Sequence, residues 1–160
     1  MRLSHSILAL SALAIVPCHT ACSALVAVAE NTRNVHGYWL TEDGALIIEI
    51  IACEDGTTVL CGFIRALPGA AADPELAQYA SELCNIPLLS NLTYEMKKDR
   101  WSGGDIFDPE TEQMYAVYIQ RKSDYLKVRA FEGSEWMGET LKWTVAESPF
   151  EGCQMADASQ

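Results

Sequence analysis

The chain has 160 residues and a formal net charge of −11 at pH 7. This length suits a single domain built around one hydrophobic core. An acidic surface disfavours binding to nucleic acid and to anionic lipid, which carry charge of the same sign, and favours basic partners instead.

The beginning of the chain has the features of an export signal. Arg2 precedes an apolar run at residues 7–16, which is shorter than the roughly 20 residues that a membrane-spanning helix needs. Ala27, Val28 and Ala29 then form a cleavage site of the A-x-A type. The sequence predicts a signal peptide over residues 1–29 and a periplasmic or secreted protein without stable membrane insertion. A retained anchor and a lipoprotein acylated at Cys22 remain as alternatives.

Short segments with the composition of strands fill the remainder, and turn residues separate them. We predict one helix from Asp73, a good N-cap, to Cys84, with Pro74 at its first position. A barrel is favoured over a sandwich because a closed sheet exposes no edge. The fold class is therefore all-β, an eight-stranded antiparallel up-and-down barrel over residues 30–148, followed by a C-terminal tail at 149–160. The predicted strands are 35–42, 45–53, 57–65, 88–96, 101–107, 113–121, 125–131 and 138–145.

Four cysteines follow the predicted cleavage site, namely Cys53, Cys61, Cys84 and Cys153. An even number in an exported protein predicts two disulfides, although the sequence alone does not choose among the three pairings. A short separation favours Cys53 with Cys61 across a turn, which leaves Cys84 with Cys153 to pin the tail. A zinc site is the alternative, but the chain lacks the close CxxC pairs and histidines that such sites use. We expect no metal and no cofactor.

Local motifs resemble two known groups of proteins. Gly37-Tyr38-Trp39 is similar to the opening of lipocalin-type barrels, in which this Trp closes one end. Longer runs resemble an exported bacterial family catalogued as domain of unknown function two-one-four-seven. This resemblance implies a lipocalin-like barrel in the cell envelope with no established biochemical activity. The main runs are 36–43, 48–50, 60–64, 101–109, 126–131 and 138–144.

The chain departs from the family pattern at three places. The helix-like segment 73–84 replaces a polar segment, and Cys84-Asn85 stands where a glycine is expected. Val145 stands where an Arg should follow the final Trp-Thr. In lipocalin-type barrels that Arg packs over the closing Trp, so we expect Arg129 or Lys142 to take its place.

Catalytic patterns are weak. His36 is the only histidine after residue 29, and no G-x-S-x-G motif accompanies it. Asp105 with Asp108, or Glu49 with nearby acids, would supply the paired carboxylates of a glycosidase. With 22 acidic residues in the chain, such pairs arise by chance. We expect no enzymatic activity.

Two hypotheses of binding remain. The first is a non-catalytic barrel that holds a small apolar or amphipathic ligand in its lumen, although the same aromatic residues also suit ordinary barrel filling. The second is an acidic envelope protein that binds or inhibits a basic protein, such as a lysozyme, through its loops. The state of the lumen distinguishes these two hypotheses and an enzyme from one another, because it is open and apolar, filled, or lined by converging polar groups. The expected ligand-binding residues of the first are Trp39, Phe63, Tyr115 and Trp143.

Overall fold

The structure is a computed structural model that describes residues 33–153, so the predicted signal peptide lies outside the described residues. Each of eight strands pairs antiparallel with the next, and the last also pairs with the first, which closes a barrel. The predicted fold class is confirmed. The strands are β1 (Gly37–Leu40), β2 (Ile47–Ala52), β3 (Leu60–Ala66), β4 (Pro87–Glu95), β5 (Arg100–Asp108), β6 (Gln113–Arg121), β7 (Tyr125–Phe131) and β8 (Glu139–Val145).

Alternation along each strand places one set of side chains inside the barrel. On β7, for example, Leu126 and Val128 are fully buried, while the neighbouring Lys127 and Arg129 are partly exposed on the outer wall. Burial of each large aliphatic side chain contributes roughly 1.5–3 kcal/mol, so this interior is the main source of stability. The fully buried interior side chains include Trp39, Trp143, Ile48, Ile50, Leu60, Ile64, Leu89, Leu92, Ile119 and Val117.

One α-helix, α1 (Pro74–Leu83), lies between β3 and β4, close to its predicted position. The Asp73 side chain accepts hydrogen bonds from the backbone N–H groups of Glu75 and Leu76, which caps the helix. Asn85 has a φ of 64°. Asparagine tolerates this left-handed conformation better than most residues, and it therefore takes the place of the expected glycine. Two short 3-10 helices, Pro68–Ala71 and Glu135–Met137, were not predicted.

Two disulfides join the predicted pairs of cysteines. Cys53 and Cys61 are connected across the turn between β2 and β3, with their Cα atoms 4.8 Å apart. Cys84 is connected to Cys153 with a Cα separation of 5.6 Å. The Cys153 N–H also donates to the carbonyl of Arg65 at 2.6 Å. The described part of the tail is thereby attached to the connection that contains α1.

Strand β5 contains a β-bulge at the pair Gly103-Gly104. The β5–β6 register shifts between Trp101 and Gly104, and Gly103 has a φ of 79°. A Cβ atom on Gly104 would lie 1.9 Å from the carbonyl oxygen of Ser90 on β4, so a side chain cannot fit. The pair thus bends the strand and lets two backbones approach closely.

Within residues 33–153, every helix is too short or too polar to span a bilayer.

Candidate functional site at the open end of the barrel

The two ends of the barrel are built from different parts of the chain. Because consecutive strands are antiparallel, alternate connections lie at the same end. One end, here called the closed end, has the connections 53–59, 96–99 and 122–124 together with residues 33–36. The other, the open end, has the connections 41–46, 67–86, 109–112 and 132–138.

Residues 33–36 seal the closed end. Val35 is fully buried, and its carbonyl accepts a hydrogen bond of 2.9 Å from the Trp39 indole N–H. The Trp101 indole donates to the carbonyl of Arg33 at 3.1 Å. Two rigid indole donors thus hold an irregular segment against the base of the barrel, and they satisfy backbone acceptors that the sheet does not pair.

A guanidinium does pack on the closing tryptophan, but it comes from neither predicted residue. Arg121, the last residue of β6, places its Cζ 4.6 Å from the centroid of the Trp39 ring. The expectation for Arg129 and Lys142 is wrong because both lie on the outer wall, where Arg129 donates to the carbonyl of Glu135 and Lys142 lies over Tyr125. Arg121 faces inward because it pairs directly with the interior Leu126.

The open end carries apolar side chains that are only partly buried. They pack against the core, and the residues concerned belong to the open-end connections or to the adjoining strand ends. We call this set the mouth ring. It comprises Leu46, Leu67, Leu83, Ile86, Tyr115, Ala130 and Leu141.

The four predicted ligand-binding residues lie in three different parts of the barrel. Trp39 and Trp143, each 1% exposed, are part of the packed interior. Tyr115 faces inward beside Ile106 and belongs to the mouth ring. Phe63 pairs with Glu49 on the outer wall, where the Arg65 guanidinium lies 5.2 Å from its ring centroid. The expectation that Phe63 lines the lumen is therefore wrong, and the alternation with its buried neighbour Ile64 was the signal for its outward direction.

Trp143 differs from Trp39 in its hydrogen bonding. Its indole N–H is buried and has no acceptor among the described residues. An unsatisfied buried donor costs about 1–3 kcal/mol, so a partner atom that entered the interior would gain that interaction. The interior is thus apolar with one free donor.

The charges at the two ends are distributed very differently. The four open-end connections contain nine Asp and Glu residues and no Lys, Arg or His. The closed-end segments contain four acids and four Lys or Arg residues, together with His36. Apart from Glu135, the open-end acids form no ion pair with a described residue, so the connections around the mouth ring carry a net negative charge. The nine acids are Glu42, Asp43, Asp73, Glu75, Glu82, Glu110, Glu112, Glu132 and Glu135.

One of these acids is neutralised by an ion pair. Glu135 accepts two hydrogen bonds from Arg100, of 2.6 and 2.9 Å, and Glu95 accepts a third from the Arg100 Nε at 2.8 Å. Hydrogen bonding to Arg100 lowers the pKa of both carboxyls, and hydrogen bonding to Glu135 raises the pKa of Arg100, which is only 8% exposed. This pair folds the β7–β8 connection back against the outer wall, leaving Trp136 93% exposed.

Two of the acids considered for catalysis, Glu49 and Asp108, have structural roles. Glu49 forms an ion pair of 2.8 Å with Arg65 on the outer wall, and its hydrogen bond with Tyr38 raises the pKa of that phenol. Asp108 accepts hydrogen bonds from the Glu110 N–H and the Thr111 hydroxyl in the β5–β6 turn. In residues 33–153, no group of three or more His, Cys, Asp or Glu side chains is arranged to hold a metal ion.

A groove of about 430 Å³ lies on the outer wall at the junction between β1 and β8. It is bounded by Leu40 and Ile47 of the barrel and by Phe150 of the tail, whose ring packs edge-on against Tyr38 at 5.2 Å. The tail thus covers part of the junction between β1 and β8, and the groove is the space left beside it.

Comparison with known proteins gives one family and one related structure. The family described as "Uncharacterized protein conserved in bacteria (DUF2147)" matches residues 37–145. A solved structure described as "Protein HP1028 from the human pathogen Helicobacter pylori belongs to the lipocalin family" aligns with a TM-score of 0.53 and 15% identity, over 72% of this chain and 84% of that one. At this identity the likeness shows a shared lipocalin-like fold. No curated protein matches the chain.

Proposed function

The chain belongs to the DUF2147 family, and from this premise and its lipocalin-like fold we propose that it is a non-catalytic binding protein for a small amphipathic molecule. The ligand enters at the mouth ring. Its apolar part contacts Tyr115 and the aliphatic residues around it, while its polar part stays near the surface.

The contrast between the two ends carries this proposal. The closed end is sealed by Val35, Trp39 and Arg121, so a ligand has no route through it. The open end presents apolar side chains that are only partly covered by their own chain. Apolar surface left exposed on a soluble protein, and rimmed by polar residues, marks a binding site. Removal of about 200 Å² of apolar surface from water would bring ~5 kcal/mol before the costs of association.

The interior limits the size of the ligand. Ile48, Ile50 and Ile64 are fully buried by their neighbours, so the middle of the barrel is occupied by side chains. The binding surface is accordingly restricted to the mouth ring above this core. Trp39, which we expected to contact the ligand, instead forms the floor together with its partners at the closed end.

An exported location accompanies this proposal. Two disulfides suit an oxidising compartment, and the predicted signal peptide over residues 1–29 provides the route. N-terminal sequencing of the protein recovered from the periplasmic fraction of its own cells tests this point, and we expect a mature terminus near Glu30. A terminus at Met1 in the cytoplasmic fraction would contradict it.

Binding at the mouth ring is tested with an uncharged fluorescent probe, N-phenylnaphthylamine. We expect a saturable increase in probe fluorescence at one site per chain. Replacing Leu83 and Leu141 with Gln should weaken probe binding at least tenfold because both side chains belong to the ring. Met114→Gln is the control, since that side chain is 55% exposed on the outer wall. Absence of saturable binding, or equal losses in the control, would contradict the proposal.

The acidic connections favour a second candidate function, the binding of a basic protein by the open-end loops. Opposite charge speeds association and makes affinity fall with added salt. Lysozyme is a suitable probe because it was predicted as a target. We expect micromolar binding at low ionic strength that is lost in Glu110→Lys, Glu112→Lys. No binding of lysozyme at low salt would remove this candidate.

A further inference from the structure

We propose that the open end selects ligands by charge, and that its ligand is an amphipathic cation such as an amine or quaternary ammonium with an apolar tail. This inference rests on the proposed function, because it names the chemical class of the molecule that the mouth ring would hold.

The first argument is the position of the charges relative to the apolar surface. The connections that supply Leu46, Leu67, Leu83 and Ile86 to the mouth ring carry five of the nine acids and contain no cation. A ligand tail seated on the ring therefore leaves its headgroup among carboxylates. An anionic headgroup, such as that of a fatty acid, would be repelled at the same position.

The second argument is the contrast with the closed end, where acids and bases are equal in number. The negative net charge of the protein is thus concentrated where the apolar surface is accessible. Charges act over about 10 Å at 0.1 M salt, so the connections that frame one ring act on the same headgroup. This negative potential attracts the cationic headgroup of a ligand to the mouth, where the apolar tail of the ligand contacts the mouth ring.

The third argument concerns groups that contact the ligand directly. Tyr115 contributes an aromatic ring to the mouth, and the face of a tyrosine ring attracts a cation within about 6 Å. The mouth thus offers a guest an apolar wall and an aromatic face within a negatively charged rim.

The test compares three probes that have the same apolar tail and different headgroups: decyltrimethylammonium, the uncharged decyl glucoside, and decanoate. Each is used below its micellar concentration to displace N-phenylnaphthylamine. We expect the cation to bind at least tenfold more tightly than decanoate, with the uncharged probe between them. Added salt should reduce this ratio because it screens the rim. Equal affinities for the three probes would overturn charge selection.

Two triple variants separate a local effect from the net charge of the protein. The rim variant Glu110→Gln, Glu112→Gln, Glu132→Gln and the control Glu54→Gln, Asp55→Asn, Asp124→Asn change the net charge equally, and all six side chains are exposed. We expect the rim variant to lose most of the preference for the cation and the control to keep it. An equal loss in both would show that only the net charge matters, and the inference would be wrong.

Failure of the inference is distinguishable from failure of the proposed function. If decyl glucoside binds saturably and the charged probes bind no differently, the mouth ring binds amphipathic molecules and selection by charge is absent. If none of the three probes displaces N-phenylnaphthylamine, binding at the ring itself is contradicted and the inference falls with it.

Discussion

The closed and open ends of this barrel cover the apolar interior in different ways. At the closed end, two indoles bond to backbone carbonyls of residues 33–36, and a guanidinium packs on Trp39. At the open end, apolar side chains are partly exposed and the surrounding connections carry charge of one sign. The first arrangement maximises stability, because polar groups are paired and apolar groups are covered. The second arrangement is less stable because apolar side chains stay partly exposed to water. Exposed apolar surface of this kind is typical of binding sites.

The largest expected difference between the ends is in stability. Trp39→Ala should lower the free energy of unfolding by about 3–5 kcal/mol, because it removes a fully buried indole and its hydrogen bond to Val35. Tyr115→Ala should cost less than half as much, since Tyr115 is only partly buried. Urea denaturation measures both. A larger cost for Tyr115→Ala would mean that the open end is part of the core.

A pair of milder substitutions compares the hydrogen bonding of two buried indoles. Trp39→Phe and Trp143→Phe remove the same volume, but only the former breaks a hydrogen bond and leaves the carbonyl of Val35 unpaired. Trp39→Phe should therefore be more destabilising by about 1–2 kcal/mol. Equal effects would show that the Trp143 N–H has a partner in solution, and would weaken the argument that the interior holds a free donor.

At acidic pH, the β7–β8 connection should lose the ion pair between Glu135 and Arg100 that holds it against the outer wall. The folded-state pKa of Glu135 is lowered by Arg100, so its contribution is present above the pKa of the unfolded chain and is lost as pH falls through the folded value. Glu135→Gln should lower stability at neutral pH by about 1 kcal/mol, allowing for solvent screening of a partly exposed pair. The difference from the unsubstituted protein should vanish at acidic pH. A pH-independent difference would contradict this account.

The smallest expected effect concerns the cation on the closing tryptophan. Arg121→Lys keeps the charge but loses the flat guanidinium that lies over the Trp39 ring. We expect a loss of about 0.5–1 kcal/mol in the free energy of unfolding. Urea denaturation measures this loss, and it should disappear when Arg121→Lys is made in a Trp39→Phe background. An equal loss in both backgrounds would reverse our assignment of the capping cation.

The strands, the helix and the first disulfide could be predicted because their signals are local, and the second disulfide then joins the two remaining cysteines. Alternation marks β7, the Asp73 cap marks α1, and a short separation pairs Cys53 with Cys61. The capping cation could not be predicted, because Arg121 meets Trp39 only through the register of strands that are distant in sequence. Phe63 was placed wrongly although its alternation with Ile64 gave the correct direction.

The acids of the candidate site are visible in the sequence, but their grouping at one end of the barrel follows only from the strand topology. The nine acids are scattered from Glu42 to Glu135, and only their assignment to one end of the barrel makes them a group. The 3-10 helix Glu135–Met137 was missed for a similar reason. It is held by Arg100, a residue from a strand that lies two strands away from the connection it stabilises.

The junction that closes the barrel joins the first strand to the last, and it has consequences for biogenesis. Only two residue pairs, Trp39 with Val145 and Leu40 with Thr144, form this junction, and the Ala146 N–H adds a bond to the carbonyl of Tyr38. During synthesis the N-terminal strand emerges long before its partner. Until the C-terminal strand arrives, the nascent sheet has two unpaired edges, which makes a truncated product a natural substrate for chaperones and proteases.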